Sequence, residues 1–196
     1  VQGRFDGVSG GYGVPEEWRI NASAGVLTDL SGASTPPFAG TSLERGPFSL
    51  YFVSQSLEGN LDRRAVGGEY RYFDQDKTAY ALLDYDTYFR ILNTAMFMGT
   101  LSVGSGTTYN LMLDRRRSPT MSIRNALNGA TTSSVDTLVQ ALGADRLREL
   151  AKQRTATSNY AQFGMMQALT EKWQAGGDIK ISDISGLPTS GSATLA

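Results

Sequence analysis

Apolar and polar residues alternate with a period of two along most of the chain, the pattern of β-strands whose two faces meet different surroundings. From Trp18 to Thr28, Trp18, Ile20, Ala22, Ala24 and Val26 share one face, opposite Arg19, Asn21, Ser23 and Gly25. From Ala79 to Phe89 the apolar face reads Ala79, Ala81, Leu83 and Tyr85, while Asp84 and Asp86 point the other way beside Tyr80, Leu82 and Tyr88. Thr107–Arg115 sets Tyr109, Leu111 and Leu113 against Thr108, Asn110, Met112 and Asp114. From Trp173 to Ser182, Trp173, Ala175, Ile179 and Ile181 oppose Gln174, Asp178, Lys180 and Ser182. Phe48–Ser56, Ala65–Phe73, Ala95–Val103, Ser158–Ala168 and a glycine-rich Phe5–Val14 complete an expected set of roughly nine strands, each near the ~9–11 residues that a tilted membrane-crossing strand needs.

The connectors divide by length. Phe73–Thr78, Val103–Thr107 and Leu169–Lys172 read as hairpin turns, with a further short turn around Leu92-Asn93. Gly10–Gly13 and Gly104–Gly106 also read as turns, since neither carries the Lys-Ser/Thr of a phosphate loop. Ser118–Thr157 is one long excursion. Its second half predicts helices over Ser134–Leu142 and Ala144–Arg154, with Ser134 or Asp136 near an N-cap and an apolar stripe of Leu138, Leu142, Leu147 and Leu150 that packs on the loop side rather than plugging a lumen. Alternate strand ends place the three short turns on one rim. The excursion, a Gly59–Arg64 loop and a polar tail after Ser185 fall on the other. Short turns on one rim and long loops on the other is the asymmetry of outer-membrane barrels.

Composition narrows the reading. Among the 196 residues, 22 are Gly, 9 Tyr and 8 Phe, as β-rich proteins with tight turns require. Cysteine and histidine are absent, which removes disulfides, thiolate nucleophiles, the usual zinc ligand and any Ser–His triad. No enzyme, catalytic residue, metal or cofactor is therefore expected. The net charge of −1 gives no pull toward nucleic acid. No run reaches the ~18 apolar residues of a membrane-spanning helix. The opening residues lack a signal peptide, so either one has been removed or the chain is a piece of a longer protein.

The expected fold is thus all-β: an up-and-down antiparallel meander forming all or part of an outer-membrane β-barrel. It is one domain over 1–196, with a helical loop insertion at about 119–156. Strand length, charges clustered on the polar faces and aromatics near strand ends (Trp18, Tyr72, Phe73, Phe89, Trp173) favour a membrane barrel. The alternative is a soluble β-sandwich, as in a surface adhesin or carbohydrate-binding module, with its apolar faces buried against each other.

Two stretches, Gly46–Ser118 and Asn159–Ser185, resemble the barrel region of bacterial outer-membrane proteins whose periplasmic part is built of tetratricopeptide repeats. The residues that carry the resemblance are Asp62-Arg63-Arg64-Ala65-Val66-Gly67, Glu69-Tyr70-Arg71-Tyr72-Phe73-Asp74, Leu83-Asp84-Tyr85-Asp86 and Leu169-Thr170-Glu171-Lys172-Trp173. The resemblance implies a porin-like role in export, the passage of a polymer or polar solute across the outer membrane of a Gram-negative-type bacterium. Implied partners are outer-membrane lipid and lipopolysaccharide, the exported solute, and a periplasmic helical-repeat region or assembly partners. The chain holds no helical repeats and ends Ser-Ala-Thr-Leu-Ala rather than in an aromatic strand, which suggests a fragment whose closing strands lie elsewhere.

On this reading Glu69, Arg71, Asp84, Asp86, Asp114, Asp178 and Lys180 line the interior. Asp84 and Asp86, two apart and pointing the same way, belong to a polar wall with arginine partners; an acid–base pair or cation site is the sharper alternative. Arg63, Arg64, Arg115, Arg116 and Arg117 form a basic cluster at the rim. They are read as strand-end charges that contact lipopolysaccharide or balance interior acids, with an anion-selective ring as the sharper alternative.

Overall fold

Eleven strands joined in chain order form a single antiparallel sheet in the computed structural model, which describes residues 5–14, 16–28, 35–104 and 106–195. They are β1 (Phe5–Val14), β2 (Trp18–Leu27), β3 (Pro37–Arg45), β4 (Phe48–Leu57), β5 (Asn60–Phe73), β6 (Lys77–Asp86), β7 (Ile91–Val103), β8 (Thr107–Ser118), β9 (Ala156–Ala168), β10 (Gln174–Ile184) and β11 (Ser190–Leu195). Every neighbour is the next strand in sequence, an up-and-down meander, and the described residues hold no pairing between β1 and β11. Between β8 and β9 lie a 3-10 turn at Ile123–Leu127 and two helices, α1 (Val135–Leu142) and α2 (Ala144–Gln153).

The ladder register sorts the residues onto two faces, because directly paired residues point the same way. One row runs Ser49, Glu69, Leu82, Met96, Asp114, Tyr160, Ser182 and Ser190. The next residues over give Leu50, Gly68, Leu83, Ala95, Arg115 and Asn159. The first face is polar and the second apolar through most of its height. The apolar face lies open: Leu50 is 61%, Leu83 58% and Ile179 58% exposed. Ser9 of β1 and Arg116 of β8 line one concavity of about 1190 Å³ with Glu44, Tyr51, Arg63 and Asp84, so the sheet curls with its polar face inward.

Several expectations change. Two strands were not anticipated. β3 begins on a proline, tolerated at the first position of a strand, and β11 is built of small residues with weak alternation. The polar tail after Ser185 therefore turns at 185–189 and comes back as a strand. The Gly59–Arg64 loop shrinks to the two-residue turn Glu58-Gly59, both at positive φ, because β5 already starts at Asn60. The turn expected around Leu92-Asn93 sits at 87–90 instead, and Ile91–Asn93 belong to β7. Gly10–Gly13 lie inside β1, whereas Gly104 and Gly106 are turn residues at φ 58° and 103°; Ser105 lies outside the described residues.

The rims differ by the excursion rather than by loop length generally, since the turns at 58–59, 87–90 and 185–189 stand on the excursion's rim and are as short as those opposite. The links at 74–76, 104–106 and 169–173 share one rim, with the short turn between β3 and β4, while the 119–155 excursion stands on the other. β11 lies within the expected polar tail and β5 begins inside the expected Gly59–Arg64 loop, so of the three long loops expected on this rim only the excursion keeps its length. Phe73, paired with Thr78, registers with the polar face and not with an outward girdle, whereas Trp18 and Tyr72 register with the apolar face; all three, with Trp173, sit at the short-turn rim. Phe89 does not. It is 1% exposed, in the core beneath the excursion with Leu57, Met121, Ile123, Val135 and Leu147. Ser134 caps α1 by accepting the Thr137 N–H at 3.3 Å. Leu138, Leu147 and Leu150 pack on the loop side, while Leu142 stays 44% exposed.

Candidate functional site: a paired polar wall beneath a docked cap

Alternation makes a residue and its second neighbour share a face, and the polar face uses this to pair its charges. Glu69 pairs with Arg71 and Asp114 with Arg116, and Asp178 lies 3.2 Å from Lys180. All seven residues expected to line the interior, Glu69, Arg71, Asp84, Asp86, Asp114, Asp178 and Lys180, share this face. The five arginines of the expected rim cluster do not stay together. Arg63 and Arg116 register with the polar face, whereas Arg64, Arg115 and Arg117 alternate onto the apolar one. The five therefore do not form one basic ring around the interior.

Asp84 is the hub of the wall. Both of its oxygens accept from Arg63 Nη2 at 2.7 Å, Tyr51 Oη donates to Oδ2 at 2.6 Å, and Asn93 Nδ2 donates to Oδ1 at 3.2 Å. Tyr51 reaches it by lying across Gly67, its cross-strand partner; a Cβ there would fall 2.2 Å from the tyrosine ring. Asp86 is fully buried and folds back on its own chain, Oδ1 accepting the N–H groups of Tyr88 and Phe89 at 2.9 and 2.8 Å. Its Oδ2 stands 3.7 Å from Arg63 Nε, an ion pair without a hydrogen bond. Asp84 thus has both oxygens satisfied, as a structural acceptor does, whereas Asp86 is hydrogen-bonded through Oδ1 alone. On β2 and β3, Asn21 donates to Ser42 Oγ at 3.1 Å and Glu44 Oε1 at 2.9 Å, and Arg19 Nε donates to Asn21 Oδ1 at 3.0 Å.

Two β-bulges fasten the excursion to this wall as a cap. Register slips between Gln55 and Ser56, leaving Asp62 as the extra residue of β5, and after Asp84, leaving Asn93 as the extra residue of β7. Asp62, 1% exposed, accepts from Gln55 Nε2 at 2.5 Å, Ser122 Oγ at 2.6 Å and the Ile123 N–H at 2.8 Å. Asn93 Oδ1 accepts the Met121 N–H at 3.2 Å, while its amide holds Asp84. One bulge residue thus ties cap to wall, and the other ties cap to the wall's central ion pair.

The cap is also held from outside the sheet. Glu58, on the β4–β5 turn, accepts from Ser134 Oγ at 2.8 Å and from the Asp136 N–H at 3.0 Å. The Asp136 N–H is the largest of the influences that hold its carboxyl below the usual glutamate range. Arg148 of α2 stacks 5.0 Å over the Tyr88 ring and donates to the Tyr88 carbonyl at 3.2 Å, and burial pushes the Tyr88 phenol up. Inside the cap, Asn125 donates to Thr120 O and Thr155 Oγ1, and Arg154 donates to Ala126 O.

Sequence reasoning missed Tyr51, Gln55, Asp62, Asn93 and the Asn21–Glu44 set. Asp62 carried a signal, an acid inside a charged run where alternation changes phase; Asn93 carried none. Compared with known proteins, the chain matches no family model, no curated sequence and no solved structure.

Proposed function

We propose that this chain forms wall of a β-barrel in the outer membrane of a Gram-negative-type bacterium, a non-enzymatic element along whose polar face a polymer or polar solute passes. The observation that carries the reading is the division of one curled sheet into a concave face of compensated charges and a convex face that leaves large apolar residues uncovered. The convex face runs without a charge over three alternate positions on β4 (Phe48, Leu50, Phe52) and β8 (Tyr109, Leu111, Leu113) and over four on β5 (Tyr72 to Val66) and β6 (Ala79 to Tyr85). At about 3.4 Å per residue and a tilt near 40°, such runs rise about 10–16 Å between their outermost Cα atoms, roughly half of the ~25 Å band of a transmembrane barrel.

The wall's chemistry suits passage rather than capture. Arginine and lysine beside a carboxylate two residues away give hydrogen-bonding groups with little net field, so a polar solute meets donors and acceptors without a deep electrostatic well. The cap stands at one mouth of this concavity and shares its hub through Asn93.

Nitroxide labels at Leu83, Leu111 and Ile179 test the proposal. In lipid discs all three positions should collide freely with oxygen dissolved in the bilayer, and the chain should need detergent or lipid to stay monodisperse. A detergent-free monomer with the three labels shielded would sink it and favour a sandwich whose second sheet covers them.

A further inference from the structure

Along β8 the run Asp114-Arg115-Arg116-Arg117 is divided by alternation, with opposite outcomes on the two faces. Asp114 and Arg116 point to the concave face and bond to each other. Arg115 and Arg117 register on the convex face, about 7 Å apart, with Arg117, at the strand end, also bordering the concavity, and each has the other arginine where the inner residues have an acid. Their cross-strand partners are neutral: Ala95 and Asn159 for Arg115, Thr157 for Arg117. The nearest acid on that face, Asp183, lies a further strand away and is bonded to Asn159 and Thr189, each at 3.1 Å. Among the described residues neither Arg115 nor Arg117 has an ion-pair or side-chain hydrogen-bond partner, and Arg64 has none either. On the polar face Arg71 and Lys180, and Arg63 and Arg116 of the expected rim cluster, each have one.

Their height matters as much as their lack of partners. Counted from the short-turn rim, the convex face of β8 is Tyr109, Leu111 and Leu113 and then Arg115; that of β5 is Tyr72, Tyr70, Gly68 and Val66 and then Arg64. The neighbouring strands turn polar after the same run, at Ser54 on β4, Asn159 on β9 and Asp183 on β10. Unpaired guanidinium groups therefore begin where the apolar band ends, on the capped rim. Like charges side by side on one face repel unless an anion lies between them, and the planar fork of arginine matches phosphate oxygens two at a time.

We infer that Arg115 and Arg117 bind the phosphate of an anionic lipid headgroup in the leaflet on the capped side; Arg64, three strands away on the same rim, would meet a separate headgroup. This rests on the membrane reading above. Continuity with the apolar band favours a lipid over free phosphate, because the acyl chains of the bound molecule lie along Leu111 and Leu113.

The test is reconstitution of the full chain into phosphatidylcholine discs without and with phosphatidylglycerol at constant ionic strength, with the thermal midpoint of the β-sheet signal as readout. Wild-type protein should be stabilised by the anionic lipid. The Arg115→Gln/Arg117→Gln variant should match wild type in neutral discs and lose most of the gain, with an apparent lipid affinity about five-fold weaker per arginine removed. Arg115→Lys should keep part of the gain, and Arg116→Gln, on the opposite face, should keep all of it. An unchanged gain in the double glutamine variant overturns the inference, as does equal stabilisation by inorganic phosphate in neutral discs. A chain that never enters discs overturns the membrane reading itself, so the two failures are distinguishable.

Discussion

Asp62 is the residue whose loss should free the cap without disturbing the sheet. Its carboxylate is buried and holds three donors, one from the wall (Gln55) and two from the cap (Ser122 and the Ile123 N–H), at 2.5–2.8 Å. Replacement by alanine leaves all three donors facing a small void. Hydrogen bonds to a charged acceptor contribute about 1.5–3 kcal/mol each, and they act as a unit, so their losses do not add. Relief of the buried charge offsets part of the loss. The net effect is about 3 kcal/mol against docking, or roughly a hundred-fold in the closed-to-open ratio. Amide hydrogen exchange followed by mass spectrometry on the reconstituted chain reads this directly. Peptides covering 119–127 in Asp62→Ala should exchange about a hundred-fold faster, while peptides from β9 and β10 keep the wild-type rate. Asp62→Asn should be mild, near 1 kcal/mol, because its Oδ1 still accepts from Ser122 and Ile123 and Gln55 can present its carbonyl instead of its amide. Acceleration of less than about three-fold in the alanine variant would refute the docking role, since that corresponds to no more than an exposed hydrogen bond. Equal acceleration in β9 would instead make Asp62 a determinant of the whole sheet.

Three further outcomes follow from the same geometry. Arg63→Met leaves Asp84 and Asp86 buried without their cation and should cost about 3–5 kcal/mol; adding Asp84→Asn should recover part of it in a denaturation midpoint measurement, and no recovery would show that Arg63 acts through packing alone. Leu83→Arg puts a charge on the exposed apolar face and should cost about 2–4 kcal/mol and impair entry into lipid discs, whereas Gln162→Arg on the polar face should be tolerated; equal behaviour would contradict the assignment of faces. Glu58 has its carboxyl held down in the folded state, so its grip on α1 is complete above the unfolded glutamate range near ~4.3 and is lost as pH falls through the lower folded value. Cap exchange should therefore accelerate in acid, and Glu58→Gln should flatten that dependence; an unaltered acid profile in Glu58→Gln would assign it to another group.

Period-two reading recovered the strands wherever large apolar side chains mark one face. It worked for β10, where Ile179 and Ile181 oppose Asp178 and Lys180, and for β6, where Leu83 and Tyr85 oppose Asp84 and Asp86. It failed for β11, whose Ser190–Leu195 offers too little contrast, and for β3, where prolines precede a run of small and hydroxylated residues. In both cases the strand is held by its neighbour's backbone, a tertiary effect that local propensity cannot report. Phe89 was misassigned to a girdle for the opposite reason: an aromatic at a strand end is equally suited to an interface or to a small core, and only the fold of residues 119–155 decides between them. That the seven charged residues share one face was legible because alternation alone determines facing. Their partners were not, since Tyr51–Asp84 and Asp62–Ser122 join residues 33 and 60 positions apart.

The residues that hold the cap sit where the alternation breaks, and the reason is geometric. A regular strand presents each polar-face side chain at a fixed spacing along a smooth wall, so nothing in it can reach past the ladder to a neighbouring element. One inserted residue bends the strand and leaves an unpaired position whose side chain is re-aimed. β5 and β7 each contain one such insertion, on either side of β6, and both re-aimed residues, Asp62 and Asn93, meet the same short stretch of cap, Met121–Ile123. Two anchors flanking one strand hold a segment more firmly than either alone, because release needs both to break together. Unbroken alternation does the complementary task on β8, where it sends Asp114 and Arg116 into the wall and leaves Arg115 and Arg117 on the other face with no ion-pair partner among the described residues. Phase slips therefore build the cap's attachment and strict phase builds the unpaired arginines; the slip at Asp62 is marked in the sequence by its charged run, whereas that at Asn93 lies among neutral residues.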